Sequence, residues 1–530
     1  DGDRLPADRL DLGHLFGEKD QRVQLALALT VRALRSVSIC VELDRIRELD
    51  LGEEEVTIPD DWWPDQPGWE AALQASPAVT VGDGPAGESP LRLVDGALYL
   101  ERHFADQESV RRALLARLGS APHTGEPEGQ DAAVDLALTS PVTVIAGGPG
   151  VGKTYTIRRI IDRLRAEHPD ALVALAAPTG KAAARMTESL GDGSLTALTL
   201  HALLGKRPGS MTRFRHHADN PLPHDVVVVD EMSMVSMVMM SRLLEALKPS
   251  ARLVMVGDPD QLSSVDAGSV LADITRAPAA AGIVARLVRN YRFTGAIADL
   301  ATAIRTGDAD AALAVLTGPD PSVRLAGVAE GATSLRERVV ASGGRVFEAA
   351  AAGRPDGALA ALDAHRLLCG HRRGPFGVAH WTRQVQSWLV EGVPGYSVDG
   401  EFHAGRPVMV TANRPEFGLY NGDTGVVLVD EDRPQAWFAP GGVPKSFSPF
   451  LLDGLTSVHA MTVHKAQGSQ FDDVSVVLPH PGSPLLTREL LYTAVSRARS
   501  SVLLLGDPEA VAEAVANPAR RMSRLAQRLR

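Results

Sequence analysis

Cysteine is nearly absent from this 530-residue chain: only Cys40 and Cys369 occur, far apart and without metal-ligand spacing. That excludes a disulfide framework and a cysteine-bound zinc site, and it fits a reducing, cytoplasmic setting. Long apolar runs are missing too. None is long enough to span a bilayer, and no secretory apolar region stands near the start, so no membrane role is expected. Positive charge is also in short supply, with a formal net charge of −11. That argues against a broad basic face that coats DNA. It leaves room for a narrow basic channel on an acidic body. Internal repeats are absent. What remains, 45% hydrophobic and 22% charged residues, is ordinary globular composition. The length suggests roughly three or four domains.

The most informative stretch is Val142 to Thr154, which contains Gly147-Gly148-Pro149-Gly150-Val151-Gly152-Lys153-Thr154. The β-branched run before it reads as a buried strand. Ile157, Ile160, Ile161 and Leu164 after it have helical spacing. Between a strand and a helix, such glycines let backbone amides turn inward and cradle phosphates. Lys153 is placed to reach the β- and γ-phosphates, and the Thr154 hydroxyl to ligate Mg²⁺. The helix N-terminus adds favourable partial charge. The chain is therefore expected to bind a nucleoside triphosphate.

Three further segments end apolar runs with polar residues. Val226–Val229 deliver Asp230 and Glu231, a Mg²⁺ carboxylate and a water-polarising base. Methionines 232, 234, 237, 239 and 240 read mainly as helix core. Leu253–Val256 lead to Gly257-Asp258 and Gln261, the right residue type to sense a γ-phosphate. Leu172–Ala176 lead to Thr179 and Lys181, which suit a phosphodiester. His201, Thr462 and His464 offer similar small polar groups. The cluster Lys206-Arg207 to His217 is either a DNA-facing hairpin or a solvated loop. Arg292 and Arg497 read, on spacing alone, as surface ion-pair residues. Trp62, Trp63 and Trp69 read equally as a docking patch or a local core plug.

Strands alternating with helices predict α/β lobes with parallel sheets and chemistry at the strands' carboxyl ends. Residues 1–118 read as a separate N-terminal α/β domain, with an Asp95-Gly96 hairpin, and 119–129 as a linker. The first lobe is expected over 119–285. The second is expected over 286–384 and 460–530, interrupted by a small β insertion at 385–459. The alanine-rich stretch 346–362 reads as one helix.

The order of the segments is itself informative. Gln130-Asp-Ala-Ala-Val134, GGPGVGKT (147–154), APTGKAAAR (177–185), TLHALLG (199–205), VVVVDEMSMV (226–235), GDPDQLSSVDAGSVL (257–271), NYRF (290–293), MTVHKAQGSQF (461–471) and YTAVSRAR (492–499) succeed one another. This series resembles superfamily 1 DNA helicases of the 5′→3′ branch, most closely the RecD family, the alpha subunits of exodeoxyribonuclease V. The resemblance is dense over 130–505.

It implies two RecA-like lobes, an SH3-like insertion at 385–459, and a small 1B hairpin at 204–223. It implies ATP and Mg²⁺ as cofactors, with Gln130 on the adenine. It reassigns Arg292 and Arg497 to the γ-phosphate, as the motif IV and VI arginines. It puts Thr179, Lys181, His201, Thr462 and His464 on a single-strand track. It also implies RecB-like and RecC-like partners and action at duplex ends in repair. A stand-alone helicase, a non-DNA ATPase switch and a dead motor are the competing readings. The intact Lys153, Asp230, Glu231, Arg292 and Arg497 speak against the last.

Overall fold

The computed structural model describes residues 18–49, 59–119, 127–191, 195–207, 209–210, 213–263, 267–291, 295–431, 433–519 and 521–530. Strands Cys40–Glu42 (β1), Val79–Val81 (β2), Leu91–Val94 (β3) and Ala97–Leu100 (β4) form one sheet in the order β1-β4-β3-β2. Asp95 and Gly96, with φ of 49° and 74°, make the left-handed pair that turns β3 back into β4. Helix Gln21–Arg35 buries Val23, Leu27 and Leu29 against this sheet. Trp69 plugs the same core, 3% exposed and edge-on to Trp63, while Trp62 is exposed. Trp69 thus fits the core-plug reading.

The first lobe is built on Val142–Gly147 (β5), Val173–Ala177 (β6), Leu198–Thr199 (β7), Val226–Val229 (β8), Arg252–Gly257 (β9) and Val284–Leu287 (β10). They pair in the order β10-β5-β9-β8-β6-β7, every pairing parallel. A parallel sheet is covered on both faces, so its strands alternate between two cores. Val227 and Val229 face Met237, Met240 and Leu243. Val226 and Val228 face Ile157, Ile160 and Met186. Met232, Met237 and Met240 are packed at 0–1% exposure, as core.

The second lobe holds Val323–Ala326 (β11) and His365–Cys369 (β12). After an insertion come Ala460–Thr462 (β18), Phe471–Val477 (β19) and Ala498–Leu505 (β20). These five are again parallel, in the order β11-β20-β19-β12-β18. The insertion is an antiparallel sheet of Pro407–Val410 (β13), Thr424–Asp430 (β14), Arg433–Phe438 (β15), Lys445–Phe447 (β16) and Leu455–Ser457 (β17). Among the described residues no helix is long and apolar enough to cross a membrane.

Several expected boundaries need correction. Helix Glu101–Leu118 belongs to the first lobe as much as to the N-terminal domain, because Val110 and Leu114 are buried in that lobe's core. β10 straddles residue 285, held by its pairing with β5. Helix Val378–Gly392 runs across residue 385 and packs Trp381, Val385 and Leu389 onto the second lobe. The stretch 346–362 is two helices, Val328–Ala351 and Pro355–Ala364, parted where Gly353 takes φ 65°. The linker at 119–129 falls largely outside the described residues.

The largest departure is at the C-terminus. Residues after Asn517 leave the second lobe. The amide of Ala519 is still held by Glu489 at 2.7 Å. Met522 then accepts from the amides of Ile39 and Cys40 in the N-terminal domain, and its own amide donates to Ser38. Leu525 and Leu529 finish fully buried in the first lobe's core. Arg528 pairs with Glu108 at 3.0 Å. The tail therefore ties both lobes and the N-terminal domain together.

Candidate active site between the lobes

The phosphate loop begins where β5 ends. Gly150 and Gly152 take φ of 82° and 85°, and helix Lys153–Glu167 follows at once. Only glycine adopts that backbone without strain. Lys153 Nζ donates to the carbonyls of Gly147 and Gly148 at 2.7 and 2.9 Å, inside the curl of the loop. Thr154 follows it into the same cleft. Gln130, on helix Gly129–Thr139, donates through Nε2 to the Val151 carbonyl at 3.2 Å. The Tyr291 amide donates to Gly150 at 3.0 Å, so the connector toward the second lobe rests on the loop.

β8 delivers Asp230 beside this loop. Burial and the adjacent Glu231 push the Asp230 carboxyl above the usual carboxylate range, and Lys153 opposes that rise. Glu231 sits at φ 52°, a left-handed conformation uncommon outside glycine. β9 delivers Asp258, which is 1% exposed. It accepts from Gln261 Nε2 at 2.9 Å and from the Tyr492 hydroxyl at 3.2 Å. Tyr492 comes from the second lobe, so Asp258 joins the lobes beneath the loop. Next to it, the Leu262 amide donates to Thr493 Oγ1 at 2.8 Å.

Arg497 lies on the second lobe's side of the cleft and is buried. Its guanidinium donates to the Thr493 carbonyl, the Ser469 carbonyl and Ser496 Oγ at 3.0, 3.3 and 3.0 Å. None of these is a carboxylate. The nearby charges that favour its charged form are Glu231 and Asp258. Lys153, Thr154, Asp230, Glu231, Gln261 and Arg497 thus line one cleft of about 760 Å³. Arg292 lies outside the described residues.

Residues the sequence reading passed over also line this cleft: Arg185, Gln470 and Arg499. Asp258 was signalled by its place at a strand's carboxyl end. Tyr492 carried no such signal, since its role depends on how the lobes meet.

The nucleic-acid candidates stand at the carboxyl ends of the sheets. Thr179 caps helix Gly180–Leu190, accepting from the Ala182 amide at 3.2 Å. His201 lies edge-on to Phe214, 5.7 Å between centroids, at the base of the basic segment. There Lys206 bridges to Phe214 and His217 to Asn220, with Lys206, Arg207, Arg213 and Arg215 exposed. Thr462 Oγ1 accepts from the Lys465 amide at 3.3 Å. His464 is largely buried, and burial with Arg521 and Arg372 lowers its pKa to about 4. Lys181 departs from expectation. Its Nζ donates to the Gly422 carbonyl of the insertion at 3.2 Å, and burial lowers its pKa to about 8. It faces the insertion rather than an open groove, because Tyr420 packs on neighbouring Gly180.

Comparison with known proteins agrees with this architecture. A family profile described as an AAA domain matches residues 130–267, and one described as a UvrD-like helicase C-terminal domain matches 457–505. A third, the N-terminal domain of RecBCD enzyme subunit RecD, matches 11–99. The RecBCD enzyme subunit RecD of Mycolicibacterium smegmatis is 46% identical over 97% of this chain and 95% of its own length. That of Mycobacterium tuberculosis is 44% identical over 97% and 92%. The ATP-dependent RecD2 DNA helicase of Deinococcus radiodurans is 32% identical over 83% of this chain and 60% of its own. A Pif1 helicase structure aligns with 71% of this chain and 91% of its own at 19% identity and a TM-score of 0.41, a loose overlap only.

Two parallel-sheet lobes closing on a phosphate loop, with an AAA-domain profile on the first and a helicase profile on the second, define an ATP-dependent DNA helicase motor. More particularly, the chain belongs to the RecBCD subunit RecD family, along nearly its whole length.

Proposed function

We propose that the protein is the 5′→3′ helicase subunit of a RecBCD-type exodeoxyribonuclease V, acting in the cytoplasm on double-strand DNA ends during recombinational repair. One observation carries the reading. Arg497 of the second lobe lines the same cleft as Lys153 and Glu231 of the first, so closure of the lobes brings cation and base to one phosphate. ATP binds there, with the amides of Gly147–Gly152 and the Lys153 ammonium around its phosphates and Gln130 toward adenine. The Thr154 hydroxyl and Asp230 carboxylate are hard oxygen donors of the kind Mg²⁺ takes. When bound, the ion offsets phosphate charge. Glu231 polarises the attacking water, Gln261 senses the γ-phosphate, and Arg497 with Arg292 offsets developing charge.

Loss of the γ-phosphate loosens the hold across the cleft. Thr179 and His201 on one lobe, and Thr462 and His464 on the other, then grip a single strand alternately. Lys181 joins them when its bond to Gly422 breaks. The contacts are mostly to backbone, so the grip is weakly sequence-dependent. The N-terminal domain docks on a RecC-like chain, beside a RecB-like one.

ATP hydrolysis by the purified chain, with and without single-stranded oligonucleotide, tests this. Strong stimulation by DNA, lost in Lys153→Ala, is expected. Hydrolysis indifferent to DNA, both alone and with RecB-like and RecC-like partners present, would overturn it.

A further inference from the structure

Helix Gln21–Arg35 of the N-terminal domain ends in the turn Ser36-Val37-Ser38. Val37 takes φ 65°, a costly conformation for a β-branched residue. Surrounding structure holds it there. Its carbonyl accepts from the Gly268 amide at 3.0 Å, and its amide donates to Leu34 at 3.1 Å. Over-determined strain of this kind clusters at functional sites. The turn forms one wall of a cavity of about 380 Å³. Leu262 from the segment after β9, His464 from the strand track, Leu490, and Met522 from the tail form the others. Three parts of the molecule and its C-terminus converge on this space.

The rim of the cavity is cationic. Arg35, which is exposed, and Arg521, whose pKa burial lowers to about 10, both line it. His464 lines it too and feels the Arg521 charge. Arg372 and Lys465, both exposed, stand near enough for each to feel the other or His464. Glu489 is the carboxylate that faces Arg521. Four cations, Arg35, Arg521, Arg372 and Lys465, therefore gather around a neutral His464 on a chain whose net charge is −11. Like charges brought together repel unless a polyanion joins them.

We infer that this junction is a further binding site for single-stranded nucleic acid, continuous with His464. Phosphates lie on Arg35 and Arg521, and one base enters the cavity among Leu262, Leu490 and Met522. The inference rests on the reading that the lobes carry a strand past His464. It adds the N-terminal domain and the tail to that path. It also links strand occupancy to the nucleotide cleft, because Leu262 follows Gln261, which holds Asp258.

The test uses the full chain and fluorescent oligothymidylates of about 8 and about 20 nucleotides, within and beyond the roughly 4–16 nucleotides that a single binding module covers. Wild-type protein should favour the longer oligonucleotide and show a steeper salt dependence with it. Arg35→Glu should remove that advantage, weakening the longer complex about tenfold at low salt, and Arg35→Ala should lower the salt slope by about 1. Circular dichroism of both variants confirms the fold. Variants that keep the wild-type advantage and slope overturn this site alone, also if they lose a partner chain. Wild-type protein that binds neither oligonucleotide overturns the strand-track reading and this site with it.

Discussion

Arg497 is buried yet meets only two carbonyls and a hydroxyl, so its planar fork is held in place with charge to spare. A lysine keeps the charge but not the fork. Arg497→Lys should therefore lower kcat for ATP by about a thousandfold while changing ATP affinity far less, as for other arginines that act late in phosphoryl transfer. Single-turnover hydrolysis beside equilibrium nucleotide binding checks this, and equal losses in both would remove the residue from catalysis. Gln130 already braces the loop through Val151, close against Gly152. Gln130→Ala should erase most of the preference for ATP over GTP, about tenfold if one polar contact to the base is lost. Side chains of this kind were legible in the sequence because phosphate chemistry demands them within a few residues of a strand end. The Asp258–Tyr492 contact was not, since 234 positions separate its partners and only the meeting of two lobes creates it.

Helix Gly180–Leu190 and the loop before β14 touch across the gap between first lobe and insertion. A methyl group on Gly180 would run into the Tyr420 ring. Gly180→Ala should cost about 1–3 kcal/mol, as overpacking does. Tyr420→Ala should give part of that back, which a double-mutant cycle in urea reads as non-additivity. The tail offers a second case. Residues near a chain end usually tolerate change. Leu529, one residue from the end, is 0% exposed. Leu529→Ala should cost about 2–5 kcal/mol in denaturant unfolding; a loss under about 0.5 kcal/mol, typical of surface sites, would show the tail is not core. Long periodic strands and helices were readable in the chain. The tail's path was not, because a short apolar pattern such as Leu525 and Leu529 does not say which core it joins.

Two buried groups give the whole molecule pH responses of opposite sign. His365 opens β12 beside β19, where its ring meets Ser475, and burial with Arg338, Arg366 and Arg345 lowers its pKa to about 3. The unfolded chain takes up that proton below its ordinary pKa of about 6.5, and the folded one does not. Stability from this group is present above about pH 6.5 and is lost on acidification. Asp273, near Ser523 of the tail, is raised by burial to about 7. Here the folded state holds the proton longer, so stability falls as pH rises from about 4 to about 7. His365→Gln should therefore gain on wild type between pH 7.5 and 5.5, whereas Asp273→Asn should gain most at pH 7.5. Urea midpoints at the two pH values decide, and parallel shifts in both variants would contradict the assignment.

The tail also changes what kind of object this is mechanically. A chain of lobes joined once, through residues 288–295, would behave as two beads on a string. Here the polypeptide crosses a second time, from Ala519 by way of Met522 to Leu529, and so joins the lobes again through packed core. A single protease cut in either crossing would leave the lobes tethered by the other.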